Sequence, residues 1–156
     1  LFTKFGGHKQ AAGLTLESAK LEEFRTRFNA YAAQRLSPED FRPQVTIDAV
    51  ASLNEFDDRS VTDIWRLAPF GNENDAPVFA LRDLEIPAEP EVKKERHVFF
   101  YVQQGQKGRA VKVKAWNFAE RLPELYRGAR VDVALRFEED SYSGWSAILK
   151  DIRPSQ

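Results

Sequence analysis

The segment from Arg82 to Ile152 constrains the fold most, because its polar and apolar residues alternate in blocks of strand length. The stretches 98–102 (VFFYV), 110–116 (AVKVKAW) and 130–137 (RVDVALRF) each switch faces residue by residue, as a half-buried strand does. Gly105 with Gly108, and Ser143 with Gly144, mark two chain reversals. Between positions 118 and 126 the pattern changes: Phe118, Leu122 and Leu125 recur at helical spacing, and Gly128 stops the run. Strand, strand, strand, short helix, strand, strand is the order of a five-stranded Greek-key barrel of the OB type. The expected fold is therefore α+β, with the barrel over residues 82–156. Barrels of this kind commonly hold single-stranded nucleic acid or oligosaccharide on the outer face of their second and third strands.

The remaining composition excludes several classes. A chain of 156 residues that is 42% hydrophobic can bury a core, and its lack of Cys rules out both a disulfide frame and a thiolate metal site. A reducing cytoplasm is the expected compartment. No apolar run approaches the roughly 18 residues that cross a bilayer, so no membrane partner is expected. Without Met at position 1, and opening mid-pattern at Leu1-Phe2, the chain is expected to be part of a longer protein. Its net charge of -1 conceals a division. Residues 44–91 carry 3 basic against 11 acidic side chains, whereas residues 92–156 carry 13 against 8. A basic groove beside an acidic connector fits this division, and so does ordinary surface scatter.

Ahead of the barrel, Phe5-Gly6-Gly7-His8-Lys9-Gln10-Ala11-Ala12-Gly13 combines glycines, which permit close backbone approach, with a small-residue run suited to a short packed helix. A helix opening near His8 would turn its free N–H groups toward the His8 ring and Lys9, a place that attracts phosphate. A tight turn with a surface histidine fits the same letters. Leu14-Thr15-Leu16 reads as a brief strand. From Ser18 to Leu36 the stripe Leu21, Phe24, Phe28, Tyr31 and Ala32 predicts a packing helix with Ser18 as its N-cap, ended by Ser37-Pro38. Residues 44–50 (QVTIDAV) alternate as a strand. One or two short helices follow, the second after Ser60, and then the turn-rich segment 67–79, LAPFGNENDAPVF.

Gly6-Gly7-His8 with Ala11-Ala12-Gly13, the helix with Leu21, Phe24 and Phe28, and Leu67-Ala68-Pro69-Phe70-Gly71 with Pro77-Val78-Phe79 before a barrel together resemble the C-terminal portion of the RecJ family of single-strand-specific DNA exonucleases. The resemblance runs over nearly the whole chain. It implies membership of the DHH phosphoesterases, in which Asp and His residues of an N-terminal DHH domain hold Mn²⁺ or Mg²⁺ for phosphodiester hydrolysis. It also implies a division into the end of a DHHA1-like subdomain (residues 1–43), a connector (44–81) and the OB barrel (82–156). Gly6, Gly7 and His8 match the motif that the family sets against the substrate phosphate. The implied parent acts 5′ to 3′ in recombination and repair. This chain has only His8 and His97 and no Asp-His-His run, so neither metal ligands nor catalytic residues are expected in it. After Pro-Phe-Gly the family usually has a second glycine and then Asn-Pro, where this chain has Glu73, Asn74 and Asp75.

For the barrel, alternation turns Val98, Phe100 and Val102 inward and His97, Phe99, Tyr101 and Gln103 outward. On the next strand Val111, Val113 and Ala115 point in, with Lys112, Lys114 and Trp116 out. Aromatic rings interleaved with lysines suit stacked bases and tracked phosphates, and Arg109 in the intervening turn extends the basic track. The candidate single-strand contacts are thus Phe99, Tyr101, Arg109, Lys112, Lys114 and Trp116. A slip of one residue would exchange the two faces. Phe99 and Trp116 could equally be covered by the N-terminal segment, and Trp145 could close the core. Two rival functions also fit: a protein-docking module using the same aromatics, and part of a small-nucleotide phosphodiesterase.

Overall fold

The computed structural model describes residues 1–9 and 11–155. It forms two compact units, Leu1–Gln44 and Val45–Gln156.

In the first unit, β1 (Lys4–His8) and β2 (Ala11–Thr15) form an antiparallel hairpin that pairs Gly6 with Gly13 and Gly7 with Ala12. The helix expected near His8 is absent, because Ala11 and Ala12 lie in the returning strand and pair with His8 and Gly7. Small residues face one another closely here. A Cβ on Gly7 would come within 2.8 Å of the Ala11 carbonyl oxygen and of Ala12. After a 3-10 turn at Ser18–Lys20, α1 runs over Leu21–Ala33. Ser18 lies inside that turn, and no side chain caps α1. Its aromatic stripe packs only in part: the Phe24 ring meets Phe2 at 5.6 Å and Phe28 at 5.4 Å, yet Phe28 and Tyr31 are each 58% exposed. No residue of α1 is buried, so the expected packing helix shows an uncovered face.

The second unit is built on a seven-stranded sheet. Its members are β3 (Ala49–Ala51), β4 (Phe79–Glu85), β5 (Glu91–Lys93), β6 (His97–Val102), β7 (Val111–Ala115), β8 (Arg130–Asp140) and β9 (Gly144–Pro154), in the order β3-β4-β8-β9-β7-β6-β5. Reciprocal backbone hydrogen bonds of 2.9 Å between Glu85 and Gln103 join the end of β4 to the end of β6. The five long strands therefore make a closed circuit. The two short strands β3 and β5 lie outside it and leave weak alternation signals.

Residues 44–48 are not part of a strand; only Ala49–Ala51 pairs, in parallel, with β4. Asp48 exchanges hydrogen bonds with Val78, and upstream Pro77 has no N–H to extend the ladder. The helix α2 (Asp58–Trp65) starts before Ser60. Asp57 caps it, accepting from the Ser60 N–H at 2.8 Å while the Ser60 hydroxyl accepts from the Asp57 N–H at 2.9 Å. Between β7 and β8 the expected helix is a 3-10 run, Ala119–Glu124, with Pro123 inside it. In the Pro-Phe-Gly loop Asn74 donates to the carbonyls of Leu67 (3.1 Å) and Pro69 (2.8 Å). Glu73, standing where the resemblance has glycine, takes the left-handed conformation (φ 63°) that glycine adopts freely.

The core lies inside the circuit of strands. Leu81, Leu84, Val98, Phe100, Val102, Val113 and Leu135 are buried there, and Leu53, Phe56 and Val61 from the segment before β4 join the same cluster. Along β9, Ala147, Ile148, Leu149 and Ile152 are all buried, which a strictly alternating strand could not achieve. A bulge accounts for this: Ala134 pairs with Asp151 and Leu135 with Leu149, leaving Lys150 unpaired.

Candidate nucleic-acid interface

The β6–β7 pair sets the candidate face. Val98, Phe100, Val102, Val111, Val113 and Ala115 are all buried, which fixes the register and turns the alternate residues outward. Across the pair Tyr101 stands opposite Lys112, and Phe99 opposite Lys114. Tyr101 is 41% exposed and Trp116 47%, whereas Phe99 is half-buried. The Lys112 ammonium lies 5.4 Å from the Phe99 ring centre and 6.0 Å from that of Tyr101, within reach of both π faces. Trp116 stands edge-on to Phe99 at 5.6 Å and to His97 at 4.9 Å. His97 in turn accepts at Nδ1 from the Asn117 N–H (3.0 Å), holding the chain where Asn117 turns with φ 56°. Partial burial, then Arg96 and Lys94, keep the His97 pKa below its ordinary value, so the imidazole is neutral at pH 7 and can accept that bond.

The β8–β9 hairpin borders this face. Trp145 does not sit free: its Nε1–H donates to Asp58 at 2.8 Å, and its ring packs edge-on against Phe137 at 5.4 Å. The Arg109 guanidinium lies over that ring at 5.6 Å. Beside it Lys114 forms an ion pair with Asp140, whose Oδ2 also accepts from Ser146 Oγ at 2.8 Å. Asp140 Oδ1 accepts from the N–H groups of Tyr142 and Ser143, each at 3.0 Å. These partners, Lys114 first, hold the Asp140 carboxyl well below the usual carboxylate range. A depressed acid stays ionised below its ordinary pKa, so the stability it lends is full above that value and is lost progressively as pH falls from there through the depressed one. Asp140 thereby fixes the turn from whose tip Tyr142 projects, fully exposed.

Tyr101, Arg109, Lys112, Lys114, Trp145 and Ser146 line one cleft of about 240 Å³. Phe99 and Trp116 extend the surface along β6 and β7. Among the described residues no carboxylate pairs directly with Lys112 or Arg109, whereas Lys114 is engaged. Sequence reasoning did not find Asp140 or Asp58. Both act through contacts distant in the chain, and an Asp two residues before a polar turn looks like any Asx turn. A second cavity, about 390 Å³, is lined chiefly by Val45, Ile47, Val50 and Ala80, with Arg82 and Arg153 offset by Asp132 and Asp151. It offers neither an aromatic row nor a surplus of cations. Gly6, Gly7 and His8 lie on β1, in the first unit, exposed. Among the described residues no three His, Asp or Glu side chains converge as a metal site.

Three curated relatives are named single-stranded-DNA-specific exonuclease RecJ. The Bacillus subtilis protein is 37% identical over 73 residues, 47% of this chain and 9% of its own length. The Salmonella typhimurium protein is 34% identical over 79 residues, or 51% of this chain and 14% of its own. The Thermus thermophilus protein is 28% identical over 145 residues, 92% of this chain and 20% of its own. The matched part thus spans at most a fifth of these relatives. Solved structures are more distant. The tRNA agmatidine synthetase TiaS, in complex with its tRNA, AMPCPP and agmatine, matches with TM-score 0.42 and 19% identity, covering 69% of this chain and 22% of that one. The second single-stranded-DNA-binding protein of Mycobacterium smegmatis gives 0.38 and 18%, covering 49% and 86%. The family model described as the RecJ OB domain matches residues 47–150, two-thirds of the chain. The chain belongs to the RecJ family and carries its OB domain.

Proposed function

We propose that the β6–β7 face binds single-stranded DNA without reading its sequence. The observation that carries this is the cross-strand pair Tyr101–Lys112, flanked by Phe99, Trp116 and Arg109: aromatic rings and unpaired cations on one outward surface. Bases stack on the rings and phosphates meet the ammonium and guanidinium groups, which suits any sequence. The support is steric as well as electrostatic, because the closed circuit of five strands holds these residues on regular strands.

The parent protein, on this reading, is a 5′ to 3′ exonuclease of DNA repair and recombination in the cytoplasm, and this chain is its substrate-holding part. The Gly6-Gly7-His8 strand, within residues 1–43 that form the end of a DHHA1-like subdomain, orients the phosphodiester. Mn²⁺ or Mg²⁺ and the hydrolytic residues belong to an N-terminal DHH domain, so this chain alone is inactive. The uncovered stripe of α1, with Phe28 and Tyr31 exposed, fits packing against that domain.

Fluorescence anisotropy with a labelled single-stranded oligonucleotide and its duplex, each at two salt concentrations, tests the reading. The expected result is tighter binding to the single strand that weakens steeply as salt rises. Equal affinity for both forms at low salt would remove the groove assignment. The protein-docking alternative would then gain, provided Lys112→Glu left that docking intact.

A further inference from the structure

Lys114 lies on the same outward row as Phe99 and lines the same cleft as Lys112 and Arg109. Its ammonium is nevertheless turned to Asp140, and the side chains are only 24% and 17% exposed. The carboxylate that takes it is itself fully engaged: Oδ2 by Lys114 and Ser146, Oδ1 by two backbone N–H groups of the β8–β9 turn. A turn needs only the Oδ1 bonds to be capped. The second oxygen and the negative charge therefore serve something besides the turn.

We infer that Asp140 is a masking residue of the single-strand face: by holding Lys114 it withdraws one cation from the strand's phosphates and keeps the grip weaker than the β6–β7 face could make it. This rests on the single-strand reading above. An exonuclease must shift its strand after each cleavage, and each phosphate contact must be broken to do so. A face with two cations outside any salt bridge, Arg109 and Lys112, the latter in the field of Glu91, releases more readily than one with three. Two groups compete for one ammonium, and the one already held by three other hydrogen bonds, from Ser146 and from the Tyr142 and Ser143 N–H groups, is preorganised.

The test is the Asp140→Asn variant of the full chain, whose Asn oxygen can still accept from the Tyr142 and Ser143 N–H groups. It is expected to bind a labelled oligothymidylate about 3- to 10-fold more tightly at low salt, with the slope of log K against log salt steeper by about 0.7, one further phosphate on a single strand. Lys114→Met alone is expected to change affinity less than about twofold and to leave that slope unaltered. The double variant should lose the gain. A merely structural Asp140 would move the unfolding midpoint without steepening the salt slope. Unchanged or weaker binding by a folded Asp140→Asn variant would overturn the inference. So would a loss of about 5-fold or more with a shallower slope in Lys114→Met, since Lys114 would then already hold phosphate. Should Asp140→Asn fail to fold, Asp140→Ser, whose hydroxyl can still accept from the turn N–H groups, is expected to show the same gain and the same steeper slope, and no gain would overturn the inference. A wild-type chain with no preference for single strands would instead sink the DNA reading beneath it.

Discussion

A chain carrying Tyr101→Ala together with Lys112→Glu is expected to bind single-stranded DNA roughly a hundredfold more weakly or worse. Tyr101 supplies a ring that is 41% exposed and opposite Lys112 on the next strand. Stacking of one base is worth about 1 to 3 kcal/mol, so Tyr101→Ala alone should cost between about 5- and 150-fold, nearly independent of salt. Lys112→Glu removes a phosphate contact and opposes the next one, so its cost should shrink as salt rises and its salt slope should fall by about 0.7 or more. Because the Lys112 ammonium lies 6.0 Å from the Tyr101 ring, the two losses should not add fully. Both side chains project outward, and unfolding free energies from urea titration should stay within about 0.5 kcal/mol of wild type. Anisotropy titrations of the two single variants and the double variant at two salt concentrations separate the stacking and charge effects.

The largest expected effect on stability is at Phe137. It is 4% exposed and lies among three rings, with centroid distances of 4.5 Å to Phe56, 6.0 Å to Phe79 and 5.4 Å to Trp145. Through them it ties β8 to the segment before α2 and to the first residues of β9. Phe137→Ala should destabilise the second unit by about 3 to 5 kcal/mol, read as a lowered urea midpoint at unchanged slope. That is a large share of the about 5 to 15 kcal/mol by which a typical domain is stable. Loss of the ring also removes the packing partner of Trp145, over which Arg109 lies, and leaves its bond to Asp58 to hold it, so residual binding should fall even where the chain is still folded.

The barrel face was legible because its signal is local. Val98, Phe100 and Val102 must all be buried, and with a side-chain period of two that decision also places Phe99 and Tyr101. The hairpin at Gly6-Gly7-His8 was not legible. Ala11 and Ala12 favour a helix by propensity, whereas the close pairing of Gly7 with Ala12 is decided by two strands meeting. The edge strand β5 has only three residues, Glu91–Lys93, too few to show a period. Lys114 was read correctly as outward, but direction does not reveal partners. Its pairing with Asp140 spans 26 positions and follows from the way β8 and β9 bring that turn beside β7.

The most direct test of the central claim is a titration of the isotopically labelled chain with oligothymidylate, following backbone amide and Lys side-chain resonances by NMR. The expected result is that the largest shifts fall on Phe99, Tyr101, Lys112 and Trp116, with Arg109 and the β8–β9 turn next, and that Val45, Ile47 and Val50 stay still. Shifts gathered instead around Val45, Ile47 and Val50, with the β6–β7 face unmoved, would contradict the account.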